Sequence, residues 1–464
     1  MRDFRPVIHI IGLLLCIEAI AMIFPLIIDL IYNNPDWDEF FLSALVTFFI
    51  GLVLYFSFKK EKIVIKIRQA FVLTISSWIV IAIFGSLPFV FTSSNLNYTD
   101  AFFETISGIT TTGATVINNL DELNHGILLW RSLLQWFGGI GIIVLAIGIL
   151  PTLQIGGMQL LHMEQDDPYE KSLPKINQFV IEIFILYSVL TIICSILYFV
   201  FGMNGFDAIT HAMTTISTGG FSTHNSSFSF FDSYKIEIIS ILFMIIGSLP
   251  FVVFLKFLHG DKKSIIKDDQ IKLFFLILLS IILLTSIWLN TNFYDDFFKS
   301  IRFSTFNITS ILTGTGYTST NYNLWGSFGL VIMIIIMFIG GCAGSTTGGI
   351  KIFRLQLLFR GAITQIKRLT HPNGVFITSF NEKSVTDETF NSIMGFFFIY
   401  ILIFILASTS LSLYNIDFLT SFSAAASAIS NVGPGLGPNI GPLSNYSYLP
   451  DGAKWILSFT MLIG

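Results

Sequence analysis

The chain has 464 residues, 53% of them hydrophobic and 12% charged, with a formal net charge of −4 and a mean hydropathy of +0.76. So few charges cannot furnish a water-soluble surface for a chain of this length, so the composition is that of an integral membrane protein. The expected surroundings are a lipid bilayer, with no nucleic-acid partner.

In chain order, runs of about 20 predominantly apolar residues, the length that spans the hydrocarbon, fall near 7–32, 39–58, 70–92, 127–150, 177–201, 235–258, 271–290, 325–343 and 391–413. A tenth starts at about 453. The first run is too long for the apolar region of a signal peptide, and no small-residue cleavage site follows it, so it reads as a span. The tenth, GAKWILSFTMLIG, reaches Gly464 after too few residues to cross, so an incomplete final helix or a shortened sequence is expected. Placing the N-terminus in the cytoplasm puts all but Arg131, Lys235, Lys299, Arg302 and Lys454 of the 25 lysines and arginines on that side. The outer segments then carry an acidic excess, including Asp36, Asp38, Glu39, Asp100, Asp121, Asp295 and Asp296, as the positive-inside rule requires.

Between these spans a semi-apolar segment recurs four times without gaps: DAFFETISGITTTG (Asp100–Gly113), DAITHAMTTISTGG (Asp207–Gly220), FSTFNITSILTGTG (Phe303–Gly316) and TSFSAAASAISNVG (Thr420–Gly433). Ile or Leu recurs at one position, Thr or Ser follows, and Gly closes each segment. A helix of about 10 residues rises about 15 Å, half the hydrocarbon thickness, so each segment enters the membrane and turns back. With an even number of crossings per repeat, all four enter from outside and the repeats are parallel.

Irregular backbone at membrane depth is tolerated only where protein or water satisfies it. Four such loops about one axis would set carbonyl oxygens, threonine hydroxyls and the negative ends of four helix dipoles along a shared aqueous path, a site for a dehydrated cation. The competing reading is that Gly and Thr only let helices pack closely.

TGTGY resembles the TVGYG filter of potassium channels. Together with TTTGAT, STGGFST, LTGTGYTS, SNVGPG, WRSLLQWFGGIGI, GGCAGSTTGGIK and THPNG, it makes nearly the whole chain resemble the Trk/Ktr/HKT superfamily of cation transporters, in particular its TrkH-type membrane subunits. The resemblance implies an all-α membrane fold with an N-terminal helix pair (1–65) and four potassium-channel-like pore repeats about a pseudo-fourfold pore (66–155, 156–265, 266–369 with an interrupted second helix, and 370–464). It implies an ion-binding filter at Thr110, Thr111, Thr112 and Gly113; Ser217, Thr218, Gly219 and Gly220; Thr313, Gly314, Thr315 and Gly316; and Ser430, Asn431, Val432 and Gly433. Potassium, with rubidium, is the implied substrate of uptake, no covalent cofactor is expected, and the chain is not expected to be an enzyme. A homodimer in the bacterial inner membrane is implied, regulated by a cytosolic TrkA-like nucleotide-binding subunit docking on 151–176 and 351–385. A proton- or sodium-coupled secondary transporter is the alternative.

The stretch GGCAGSTTGGIK lacks the Gly-Lys-Ser/Thr of a Walker loop, and GTGYTS lacks the third glycine of a dinucleotide fingerprint. A kinked helix with a flexible elbow is one reading. The resemblance implies another, an intramembrane gate formed by Gly340, Gly341, Gly344, Ser345, Thr346, Thr347, Gly348 and Gly349. Glu18 reads as a helix-packing hydrogen bonder or part of the path. Arg131 reads as the partner of Glu104 or as a snorkelling side chain, and Glu104 alternatively as a carboxylate attracting cations at the mouth. The three cysteines have no disulfide or metal-ligand spacing, and the seven histidines form no HExxH pair.

Overall fold

The computed structural model describes residues 4–59, 67–148, 173–376, 378–381 and 383–464. The basic stretch 60–66 and the expected docking segment 151–176 as far as residue 172 lie outside the described residues. Among the described residues, seven helices are long and apolar enough to cross a membrane, and an eighth candidate is bent by 93°.

The chain opens with α1 (Arg5–Ala21) and α2 (Ile23–Tyr32), which together make one span, and α3 (Trp37–Ser57). The crossing of α1 with α3 is built on glycine: a Cβ on Gly12 would lie 2.5 Å from the Tyr55 backbone nitrogen and 2.8 Å from the Gly51 carbonyl oxygen. Small residues let the two backbones approach, and the gain is van der Waals contact, since lipid supplies no hydrophobic drive between helices.

A helix, half-helix, loop, helix unit then occurs four times. The first comprises α4 (Ile67–Gly85), α5 (Tyr98–Ile109) and α6 (His125–Gly148). The second has α7 (Leu173–Val200), α8 (Gly205–Ile216), α9 (Tyr234–Ser248) and α10 (Phe251–Leu258). The third has α11 (Asp269–Asn292), α12 (Phe297–Leu312), α13 (Gly326–Ile339) and α14 (Ile352–Thr370). The fourth has α15 (Asp387–Ser412), α16 (Phe418–Ser430) and α17 (Asp451–Ile463). Asp29 on α2 holds the N-terminal pair to the first unit: its Oδ1 accepts the Gly126 N–H at 2.7 Å, satisfying a free donor at the start of α6.

The half-helices α5, α8, α12 and α16 have 12, 12, 16 and 13 residues, so they stop short of the ~30 Å hydrocarbon. Each begins at an Asn or Asp cap whose side chain accepts a backbone N–H: Asn97 from Asp100, Asn204 from Asp207, Asp296 from Phe298 and Asp417 from Thr420, at 2.7–3.0 Å. Each ends in the same way. Thr111, Thr218, Gly314 and Asn431 take positive φ and donate three residues back, while Thr112, Gly219, Thr315 and Val432 donate five residues back to Ser107, Thr214, Ser310 and Ser427 at 2.8–3.0 Å. That pair of bonds is the Schellman motif, which satisfies orphan carbonyls at the helix end and reverses the chain.

Two spans differ from their sequence reading. The run 235–258 breaks at Leu249–Pro250 into α9 and α10, because the residue before proline is driven to extended backbone and Leu249 has ψ 158°. The run 325–343 yields α13 of only 14 residues, ended by Gly340 at φ 73°. The last helix, α17, has 13 residues and falls short of a crossing, as its sequence indicates. The only strands among the described residues are Ser379–Phe380 and Lys383–Ser384, paired as an antiparallel ribbon outside the spans.

Candidate functional site

The four loops that follow the half-helices meet in a closed cycle. A Cβ on Gly113 would lie 2.2 Å from the Gly219 carbonyl oxygen, one on Gly220 1.7 Å from that of Thr315, one on Gly316 2.1 Å from that of Val432, and one on Gly433 2.6 Å from that of Thr112. Each closing glycine thus receives the carbonyl of the next loop, and the fourth receives that of the first. All four have positive φ, from 76° to 103°, so both the backbone and the neighbour require glycine. The same four glycines line one cavity of about 70 Å³, with Arg131, Phe221, Ser222 and His224 on its wall.

The loops are alike in backbone but not in support. In the first and third, the hydroxyls of Thr110 and Thr112, and of Thr313 and Thr315, pair at 2.8 Å. In the fourth, Ser430 pairs with the Tyr400 hydroxyl at 2.7 Å, the Asn431 amide donates to the Thr112 hydroxyl at 2.9 Å and to the Met461 carbonyl, and Tyr446 donates to the Gly433 carbonyl at 2.8 Å. Ser217 lies against Gly139, and the Thr218 hydroxyl pairs with that of Thr346 at 2.9 Å. Thr111 and Thr218 sit at φ 55° and 51°, which costs a β-branched residue on the order of 1–3 kcal/mol each. Strain of this size persists only where the surroundings hold it.

Each seam between units carries a polar latch. Arg131 donates to Glu104 at 2.8 Å and to the Ser222 carbonyl at 2.7 Å, joining the first unit to the second. Arg302 grips Glu237 at 2.8 Å between the third and second. Asn323 exchanges two bonds with the Gly437 backbone between the third and fourth. Lys454 meets Asp100 at 2.5 Å and closes the fourth onto the first. Glu104 is fully buried and also accepts from Thr115 and the Val116 N–H, so it is committed to the first loop and does not face the mouth. His224 sets Nδ1 2.6 Å from Asp121 and Nε2 3.2 Å from Asp207. Burial alone would lower its pKa, but the hydrogen bonds to Asp207 and Asp121 outweigh it and hold the pKa above the ordinary histidine value.

The motif WRSLLQWFGGIGI acquires a physical account residue by residue. Trp130 donates to the Gly85 carbonyl at 2.9 Å, Arg131 makes the latch above, and Gln135 reaches the second loop. A Cβ on Gly138 would lie 2.0 Å from the Ile109 carbonyl oxygen, and one on Gly139 2.9 Å from Ser217 Cβ, so the two glycines let α6 cross the ends of two half-helices at once. Gln135 is the residue that the sequence reading missed. The extra glycine of STGG, Gly219, which precedes the closing Gly220, is its only trace in the sequence.

Gly340–Gly349 folds back as a buried loop between α13 and α14. The N–H groups of Ile350, Lys351 and Ile352 return to the carbonyls of Phe338, Ile339 and Gly341 at 3.0 Å. Cys342 and Thr346 donate to Ser248 and Gly247, at the bend between α9 and α10, and Gly344 accepts from Phe251. The Ser345 and Thr347 hydroxyls pair at 2.9 Å, the Thr347 carbonyl accepts from Lys351 Nζ, and Gly340, Gly344 and Gly349 have positive φ. A Cβ on Gly341 would lie 2.7 Å from the Thr347 hydroxyl, and one on Gly348 2.3 Å from the Ser430 carbonyl oxygen. The loop therefore lies against the bases of the second and fourth ring loops and is held by backbone bonds, unlike a flexible elbow. Glu18 is away from the ring, beside Gly85 and Thr105, and its carboxylate has no hydrogen-bond partner among the described residues.

Removing one partner of a buried ion pair costs about 3–5 kcal/mol, because the other charge stays buried and unpaired. Arg131→Met is therefore expected to lower the thermal midpoint in detergent sharply. An unchanged midpoint would show that the latch does not hold the first two units together.

Comparison with known proteins agrees with this architecture. Residues 37–464 match the model of the TrkH family, described as cation transport protein. The chain is 38% identical to the Trk system potassium uptake protein TrkI of Halomonas elongata, covering 100% of this chain and 94% of that protein. It is 36% identical to the Trk system potassium uptake protein TrkH of Escherichia coli strain K12, covering 99% and 96%. The crystal structure of the potassium transporter TrkH from Vibrio parahaemolyticus superposes with a TM-score of 0.92 at 36% identity, covering 100% and 96%. With four parallel half-helix units closed about one ring, and these matches over almost its whole length, the chain belongs to the TrkH family of cation transport proteins.

Proposed function

We propose that the protein takes up potassium, and rubidium, across the inner membrane through the ring of four loops acting as a selectivity filter. The observation that carries this reading is the closed cycle of glycine-to-carbonyl contacts at Gly113, Gly220, Gly316 and Gly433, onto which four half-helix C-termini converge. Backbone carbonyls and the negative ends of helix dipoles replace water around a cation. The relatives named above as potassium uptake proteins support the choice of ion. The domain organisation proposed is a helix pair over 1–65 and pore repeats over 66–155, 156–265, 266–369 and 370–464, with the N-terminus in the cytoplasm.

Gly340–Gly349 is the gate in this reading, because it lies against the ring loops and its bonds to Gly247 and Ser248 can be exchanged without unfolding a helix. A homodimer regulated by a cytosolic TrkA-like nucleotide-binding subunit completes the proposal.

Two outcomes follow. Gly113→Ser forces a side chain onto the Gly219 carbonyl at φ 85°. Proteoliposome flux should show the potassium-to-sodium ratio falling by about tenfold, which equals ~1.4 kcal/mol of lost differential coordination; a folded variant with the native ratio contradicts the filter assignment. Deleting Ser345–Thr347 should raise cation flux in the absence of any partner, whereas unaltered flux in a folded protein would make the stretch a structural loop only.

A further inference from the structure

We infer that Gln135 is a positioning residue for ion selection, acting from the first repeat on the second loop; this rests on the filter reading above. Gln135 lies on α6 and is fully buried. Its Nε2 donates to the Gly219 carbonyl at 2.6 Å, and its Oε1 accepts the Phe221 N–H at 3.0 Å. The two bonds flank Gly220 and fix the amide's orientation, because the flipped amide would set oxygen against oxygen and N–H against N–H.

The Gly219 carbonyl is itself a member of the ring, the one that occupies the space beside Gly113. Of the four ring carbonyls it is held by a side chain from a preceding repeat. The sequence asymmetry of the loops has the same origin. The first, third and fourth loops carry Thr112, Thr315 and Val432 at this position, and the two threonines tie back to Thr110 and Thr313 within their own loops. The second has glycine, and a Cβ there would lie 2.4 Å from Gln135 Cδ, 2.5 Å from Oε1 and 2.8 Å from Nε2. The second loop has given up its own side chain, and the amide takes its place.

Without that donor the Gly219 carbonyl is free to turn. Potassium needs several carbonyls at fixed positions to replace its hydration shell, while the smaller sodium ion loses less when one departs. Gln135 thus acts on selection by holding a ligand and does not touch the ion.

The test is proteoliposome flux with Gln135→Leu, which fills the volume and removes both polar groups. The potassium-to-sodium ratio should fall by about fivefold, the factor that one net hydrogen bond supplies, with little change in thermal midpoint. Gln135→Ala combined with Gly219→Thr should restore the ratio: φ at residue 219 is not positive, so the backbone accepts the side chain, and its hydroxyl can pair with Ser217 as in the first and third loops. A folded Gln135→Leu with the native ratio overturns the inference, as does a folded double variant that stays unselective. The double variant decides the matter if Gln135→Leu cannot be purified. Gly113→Ser run in parallel separates the claims: if it shifts the ratio and Gln135→Leu does not, only the role of Gln135 fails, and if neither shifts it, the filter reading fails.

Discussion

Backbone that leaves the helix at membrane depth must be satisfied by protein or by a bound ion, since lipid offers no hydrogen bonds. Every distinctive feature of this chain follows from meeting that constraint four times at one place. The half-helix ends satisfy part of it locally through Schellman bonds to Ser107, Thr214, Ser310 and Ser427. Between loops, each closing glycine leaves room for the carbonyl of the next, so the four loops pack as one set. The ion pair of Lys454 with Asp100, which brings the end of the chain onto its first half-helix, completes the cycle.

The cycle is fourfold in backbone and far less regular in side chains. The first and third loops stiffen themselves with paired threonine hydroxyls. The second borrows Gln135, and the fourth relies on Asn431, Tyr400 and Tyr446. One chain carrying four diverged repeats can therefore assign each loop a different stiffness, which four identical chains cannot do. The second and fourth loops, those with outside support, are also the ones against which Thr346 and Gly348 lie. A movement of the intramembrane loop would reach the ring through them first.

Much of this was legible in the sequence because its causes are local. A glycine that closes each short semi-apolar segment permits irregular backbone after a half-helix, and its fourfold ungapped repetition announces the architecture. What was not legible depends on residues distant along the chain. Gln135 meets Gly219 from 84 positions away, and Asn431 meets Thr112 across 319, and neither leaves a periodic signature. Arg131 admits two readings in the sequence, and its bonds to Glu104 and Ser222 decide between them. The bend at Leu249–Pro250 was written in the proline, but the apolar length of 235–258 outweighed it. The positive φ at Thr111 and Thr218 had no signal at all, since β-branched residues are the last expected there.

The central claim is that the carbonyls of Thr112, Gly219, Thr315 and Val432 enclose a cation. Anomalous diffraction from crystals equilibrated in rubidium tests it most directly. The account predicts a rubidium peak on the axis of the ring, within coordination distance of these four oxygens. Rubidium bound at other positions, with none in the ring, would contradict it.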